Sequence, residues 1–130
     1  MQDSEEHFAR KLAHETDSWD LHEALNRGDA VTVVDARSPE AYALEHLPGA
    51  INLPHRQMDP STTATFDATR LYVVYCDGIG CNASTKGALQ LARLGFHVKE
   101  LMGGLDWWKR DGYATDGDEG RDGRRARCGC

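Results

Sequence analysis

Cys76 is the residue whose type and setting best suit covalent chemistry. It follows directly after Leu71–Tyr75, an apolar run rich in β-branched and aromatic residues that predicts a buried strand. Residues 76–83 then form a turn with two glycines, and Ser84 is a good N-cap for a helix over residues 85–94. A strand-to-helix turn directs backbone N–H groups and a helix N-terminus at its mouth, where they stabilise a thiolate, a persulfide anion or an anionic sulfur donor. From this local context alone, a reactive nucleophile and a small buried structural cysteine are equally good interpretations.

The chain has three further cysteines, and their number and spacing narrow what they can do. Four cysteines are too few for a disulfide scaffold, and in a reducing compartment cysteines more often serve chemistry or metal binding. Cys81 lies inside the turn, whereas Cys128 and Cys130 end a glycine-rich polar stretch, residues 114–130, that predicts a flexible tail. Three interpretations stay open for these thiols: incidental cysteines, a sulfur or redox relay with Cys76, and a zinc site. The C-x4-C and C-x-C spacing suits zinc poorly, so we predict no metal.

Composition and charge exclude several classes of partner. A chain of 130 residues with 40% apolar side chains suits one domain with one core. The net charge of -6 leaves no basic surface for a phosphate backbone, so nucleic acid is not expected as a partner. No apolar run is long enough for a membrane helix, and the first residues lack the positive and apolar regions of a secretory signal. We therefore expect a cytoplasmic protein with no membrane partner.

Helical and strand patterns alternate along the chain, which predicts an α/β sandwich with a mostly parallel sheet. The predicted strands cover residues 31–34, 50–53, 71–75 and 97–101. The predicted helices cover residues 1–16, 17–26, 39–44, 85–94 and a last segment that begins after Gly103-Gly104 and ends at Gly112. The supporting capping residues are Asp17, Gly28, and Ser38 before Pro39. Open parallel sheets bind ligands at the carboxyl ends of their strands, which is where Cys76 lies.

Four separated motifs give the chain a resemblance to a known family. Residues 33–42 place Asp-x-Arg at the end of a strand, and residues 46–54 contain His-Leu-Pro-Gly-Ala. The cysteine after the buried strand is the third motif, and Gly-Gly-x-x-Trp at residues 103–107 is the fourth. In this order and at this spacing, residues 17–113 resemble a rhodanese-like domain of the single-domain type. The resemblance implies a rhodanese-like three-layer sandwich, with a mostly parallel sheet of about five strands flanked by helices on both faces.

The resemblance also implies an activity, that of a rhodanese-type, thiosulfate sulfurtransferase-like enzyme. Cys76 would be catalytic, carrying sulfur as a persulfide from a small donor to a thiol or cyanide acceptor without a cofactor, and a sulfur-relay protein is a further candidate partner. The substrate-binding loop would comprise Asp77, Gly78, Ile79, Gly80, Cys81 and Asn82. Asp35 and Arg37 would support the site, and we interpret them as mainly structural. The implied division is an N-terminal helix (1–16), a rhodanese-like domain (17–113) and a flexible tail (114–130).

The predicted loop departs from the family's commonest pattern, which places Arg or Lys after the cysteine. Here the loop has no cationic side chain, and Asp77 adds a negative charge beside the nucleophile. A doubly anionic donor such as thiosulfate would then depend on backbone dipoles or on the more distant Lys86 or Arg37. A glutathione persulfide, a polysulfide or a protein persulfide fits at least as well. Asn82 stands where related phosphatases and arsenate reductases have an arginine, so their chemistry is not expected.

Two other function classes stay open. A thiol or persulfide redox protein would use Cys76 with Cys81 or with the terminal pair, and would form the corresponding disulfide under mild oxidation. A non-catalytic interaction domain on the same scaffold is the other class, because a fold alone does not determine a function. The presence of Cys76 in a well-formed loop argues against this last class.

Overall fold

The computed structural model describes residues 2–123 of the chain. The strands are β1 Glu15–Thr16, β2 Val31–Asp35, β3 Ile51–Asn52, β4 Leu71–Tyr75 and β5 His97–Leu101. The helices are α1 Gln2–His14, α2 Ser18–Arg27, α3 Pro39–Leu44, α4 Ala83–Arg93 and α5 Gly104–Arg110, with one 3-10 turn at His55–Gln57. The sheet has five strands in the order β1-β5-β4-β2-β3, and every neighbouring pair is parallel. The predicted α/β fold with a mostly parallel sheet is confirmed.

Apolar side chains of the central strand β4 pack on both faces of the sheet, because successive strand residues point to opposite faces. On one face they join a cluster with side chains from α2 and α5: Leu21, Val73, Tyr75, Leu101, Leu105 and Trp108. On the other face they join side chains from α4 and the neighbouring loops: Ala36, Met58, Tyr72, Val74 and Leu91. The sheet is therefore the middle layer of three, and β4 is fixed on both sides up to its carboxyl end. Among the described helices, none combines the length and the apolar character that crossing a bilayer requires.

The caps that the sequence predicts for α2 and α3 are confirmed. The Asp17 side chain accepts a hydrogen bond from a backbone N–H in the first turn of α2, and Gly28 ends that helix with a φ of 74°. Ser38 caps α3 in the same way, with Pro39 at its first position. These features depend on a few consecutive residues, which explains why the sequence shows them.

Several element ends differ from the prediction by one or two residues, and at two places the difference changes the role of a residue. Glu15–Thr16, assigned to the N-terminal helix, instead form the edge strand β1, paired with Glu100 and Leu101 of β5. A two-residue strand is too short to show a periodic pattern, and only its partner reveals it. The helix expected after Ser84 begins at Ala83, so Ser84 lies in the first turn of α4, and its hydroxyl donates to Glu100 at 2.6 Å instead of capping the helix.

The stretch after residue 113 is packed against the domain as far as residue 121. Trp108 Nε1 donates to the carbonyl of Ala114 at 2.8 Å, and the buried Thr115 hydroxyl donates to Glu45 at 2.6 Å. Burial alone raises the pKa of Glu45, but hydrogen bonds from Thr115 and Lys109 lower it by more, so its pKa lies below the ordinary value. The division of the chain into three segments stays a prediction, and Cys128 and Cys130 lie outside the described residues.

Candidate functional site

The structure places Cys76 at the carboxyl end of β4, in the centre of the sheet. Its backbone follows a strand that pairs with β2 on one side and β5 on the other, and its side chain is only 2% exposed. Residues 77–82, here called the 77–82 loop, then lead directly into α4. Cys76 therefore lies at the carboxyl ends of the strands, where open parallel sheets bind their ligands.

Cys76 is bonded to Cys81 in a disulfide, with a Cα–Cα distance of 6.3 Å. A tight turn brings the two together, because the Cys81 backbone N–H donates to the carbonyl of Gly78 at 3.2 Å. This pair is one of the disulfides that the redox interpretation anticipates. Both thiols become available only after the bond is reduced.

The 77–82 loop has backbone N–H groups that the protein itself does not use. Within residues 2–123, no acceptor takes a hydrogen bond from the N–H groups of Gly78, Ile79 or Gly80. An exposed loop of unpaired N–H groups beside a helix N-terminus is suited to an anion. These amides are the part of the loop that could hold an anionic donor or a persulfide.

The first turn of α5 donates hydrogen bonds to the backbone carbonyls at the start of the 77–82 loop. Leu105 N–H donates to the carbonyl of Cys76 at 3.0 Å, and Asp106 N–H donates to that of Asp77 at 2.8 Å. Gly104 has a φ of 53°, and a Cβ placed on it would lie 2.3 Å from the Cys76 carbonyl oxygen. The second glycine of the Gly-Gly-x-x-Trp motif is therefore needed for this close approach.

Asp35 and Arg37 form a buried ion pair beside the cysteine strand. The Asp35 carboxylate is fully buried and accepts from Arg37 Nη2 at 2.7 Å, from Arg37 Nε at 3.0 Å and from the Tyr75 hydroxyl at 2.7 Å. Burial lowers the pKa of Arg37, but hydrogen bonds and the negative charge of Asp35 raise it by more, so the guanidinium stays charged. Arg37 Nη2 also donates to the carbonyl of Glu45. These contacts tie β2, the end of β4 and the loop after α3 together.

Asp77 occupies the remaining arm of the Arg37 guanidinium. Arg37 Nη1 lies 2.9 Å from Asp77 Oδ1, although the Asp77 side chain is 71% exposed. Arg37, which the sequence analysis considered as a distant cation for the donor, is therefore already paired with two carboxylates. Lys86, the other distant cation, is exposed on α4. The pKa of His55 is lowered mainly by burial, then by the charge of Arg56, and to a smaller extent by the charge of Lys86.

A surface pocket of about 410 Å³ opens beside the loop on the side of Cys81. Its lining includes Lys11 from α1, Glu100 from β5 and Trp107 from α5, together with Cys81, but not Cys76. Lys11 donates to Glu15 at 3.2 Å and Glu100 accepts from two α4 hydroxyls, so the charged groups of the pocket are already paired. Sequence reasoning missed Lys11 and Glu100, because only the sheet brings these distant positions to the loop. Among residues 2–123, no group of three or more His, Cys, Asp or Glu side chains is arranged to hold a metal ion.

Comparison with known proteins assigns the chain to a family. A family model described as "Rhodanese-like domain" matches residues 19–111. The chain is 37% identical over 97 residues to the "HTH-type transcriptional regulator Rv0324" of Mycobacterium tuberculosis, covering 72% of this chain and 42% of the regulator. It is 36% identical over 85 residues to the "Thiosulfate sulfurtransferase GlpE" of Pseudomonas entomophila, covering 64% of this chain and 74% of that protein. The chain thus spans less than half the length of the regulator.

Solved structures show the same fold. The BH2092 protein of Bacillus halodurans superposes with a TM-score of 0.88 at 37% identity, covering 92% of this chain and 88% of that one. The rhodanese-like domain of the Anabaena Alr3790 protein gives a TM-score of 0.71 at 28% identity, covering 88% and 91%. The chain belongs to the rhodanese-like domain family, and the three-layer sandwich with its five-stranded sheet is the fold that this family membership predicts.

Proposed function

We propose that the protein is a rhodanese-type sulfurtransferase in which Cys76 accepts a sulfane sulfur and carries it as a persulfide. The observation that carries the proposal is the position of Cys76 at the end of the central strand, beside a loop with unused backbone N–H groups. The similarity to proteins named thiosulfate sulfurtransferase supports the same activity. A thiol or cyanide is the proposed acceptor.

The proposed cycle begins with reduction of the bond between Cys76 and Cys81 by two molecules of a thiol, which leave as their own disulfide. The Cys76 thiolate then attacks the sulfane sulfur of the donor, a sulfur–sulfur bond forms, and the remainder of the donor leaves with the electron pair of the broken bond. With thiosulfate the leaving group is sulfite. The loop N–H groups stabilise the anionic donor and then the persulfide by charge-assisted hydrogen bonds. Attack by an acceptor on the outer sulfur regenerates the Cys76 thiolate.

The charge around the loop bears on which donor is used. Asp77 is an exposed carboxylate next to the nucleophile, and the nearest guanidinium, that of Arg37, is already paired with Asp35 and Asp77. A dianion approaching this loop meets a net negative charge. A glutathione persulfide, a polysulfide or a protein persulfide therefore fits the site at least as well as thiosulfate, and we propose this group as the donor class.

The test of the proposal is intact mass measurement after each donor is added to the reduced Cys81→Ser protein, in which Cys76 cannot bond to Cys81. We expect a gain of one sulfur atom, located on Cys76 by peptide mapping, and its loss when a thiol acceptor or cyanide is added. A reduced Cys81→Ser protein that gains no sulfur from thiosulfate, glutathione persulfide or polysulfide would contradict the proposal. A cytoplasm, the compartment that the sequence predicts, would supply the reducing thiols.

Donor choice can be tested at Asp77. In an Asp77→Arg variant we expect thiosulfate turnover to rise by at least about fivefold in kcat/KM, because one unit charge pair at ~4 Å in water is worth about 1 kcal/mol. The matched control is Asp111→Arg, the same charge change on an exposed residue at the far end of α5, about 10 Å of helix away. Unchanged or weaker thiosulfate turnover, or an equal rise in the control, would show that loop charge does not set donor choice.

A second candidate function is thiol–disulfide exchange through Cys76 and Cys81. The disulfide itself favours it, since a strand-end thiol and a neighbouring loop thiol form the bond without other partners. The mass experiment on the Cys81→Ser protein separates the two functions, because a protein that only exchanges disulfides takes no sulfane sulfur from a donor onto Cys76.

A further inference from the structure

We infer that Cys81 is a resolving thiol, which attacks the Cys76 persulfide and releases its outer sulfur as sulfide. The observation behind the inference is that the two side chains are already bonded to each other across the turn of the 77–82 loop. The bonded pair is the state that such an attack would leave. This inference rests on the proposed function, because without a persulfide on Cys76 there is nothing to resolve.

The two sulfurs differ in their access to solvent. Cys76 is 2% exposed, whereas Cys81 is partly exposed and lines the pocket beside Trp107 and Glu100. An external thiol therefore has less room to approach the sulfur on Cys76 than a thiol that the loop already holds there. The Cys81 N–H bond to the Gly78 carbonyl keeps the turn closed, so the attacking sulfur needs no large rearrangement.

The step balances in atoms and electrons. The Cys81 thiolate attacks the inner sulfur, Cys76 Sγ, and a bond forms between the two cysteine sulfurs. The bond to the outer sulfur breaks, and that sulfur leaves as hydrosulfide with the electron pair and takes up the proton that Cys81 gave up. The sulfane sulfur is reduced to sulfide while the two cysteine thiols are oxidised to the disulfide.

A dithiol must then reduce the bond between Cys76 and Cys81, and the exposure of the two sulfurs determines which of them the dithiol attacks. Because Cys81 faces the pocket and Cys76 is buried, the dithiol reaches Cys81 first. Cys76 is then the leaving thiolate, next to the unused loop N–H groups that stabilise it, and a stabilised thiolate leaves faster. The product of a full turnover is sulfide, and the protein returns to the dithiol state.

The experiment compares the full-length chain carrying Cys128→Ser and Cys130→Ser with the same chain carrying Cys81→Ser as well. The parent then keeps Cys76 and Cys81 as its two thiols. Both reduced proteins are mixed with thiosulfate or with glutathione persulfide under anaerobic conditions, at ~10 µM external thiol. Sulfide, sulfite and the intact mass are followed over time, and Cys81→Ala is measured as a second variant.

We expect the parent to release sulfide and to end as the disulfide form without added sulfur. The Cys81 variants should retain the persulfide and release sulfide about 100-fold more slowly, because a tethered thiol acts at an effective concentration of ~1 mM or more. Equal sulfide release in parent and variants, or a parent that keeps its added sulfur, would overturn the inference and leave the proposed function intact. A Cys81→Ser protein that gains no sulfur from either donor would instead remove the proposed function and the inference with it.

Discussion

Replacing Cys76 with serine is expected to abolish persulfide formation and sulfur transfer while the fold survives. A serine oxygen cannot carry a sulfane sulfur, so the variant has no group at this position that can replace the thiolate. The fold survives because the Cys76 carbonyl still accepts from Leu105 and the side chain is replaced by one of similar size. Donor-dependent sulfur uptake by intact mass, together with circular dichroism and thermal unfolding, measures both parts of the expectation.

The matched control for this variant is Cys81→Ser. Both substitutions remove the same disulfide, so both variants lose the same restraint on the unfolded chain. Both variants should therefore unfold at nearly the same temperature. Only the Cys76 variant should lose sulfur uptake, and residual uptake in it would move the active site to another residue.

Arg37→Met is expected to lower the free energy of unfolding by about 3–5 kcal/mol, because it leaves the buried Asp35 carboxylate without its cation. The substitution also removes the donors to Asp77 and to the Glu45 carbonyl. Denaturant unfolding followed by circular dichroism measures the loss. Adding Asp35→Leu should restore part of the stability, because it removes the unpaired buried charge but also removes the acceptor of the Tyr75 hydroxyl.

An exposed arginine supplies the control for this prediction. Arg27 pairs with Asp29 at 2.9 Å on the surface, with 61% of its side chain exposed, so Arg27→Met should change stability little. The folded fraction of Arg37→Met should still load sulfur on Cys76 if Arg37 is mainly structural. A variant of normal stability that fails to load would instead place Arg37 in direct contact with the donor.

The order of the main elements and the position of Cys76 at the end of the central strand could be predicted from the sequence alone. The β-branched runs of β2 and β4 predict buried strands because a short continuous apolar segment suits a strand covered on both faces. Ser38, Pro39 and Gly28 set helix ends through steric and hydrogen-bonding preferences of consecutive residues. Cys76 follows β4 directly, so its place at the carboxyl end of the sheet follows from the chain order alone.

The groups that surround Cys76 could not be predicted from the sequence, because packing brings them together from distant parts of the chain. β1 exists as a strand because β5 pairs with it, and Lys11 reaches the pocket of Cys81 because the sheet brings the end of α1 to the loop. The contact of Arg37 with Asp77 likewise joins residues 40 positions apart. Local propensity acts over a few neighbouring residues, whereas charge pairing, thiol pairing and pocket lining depend on distances that the chain reaches only after it has packed.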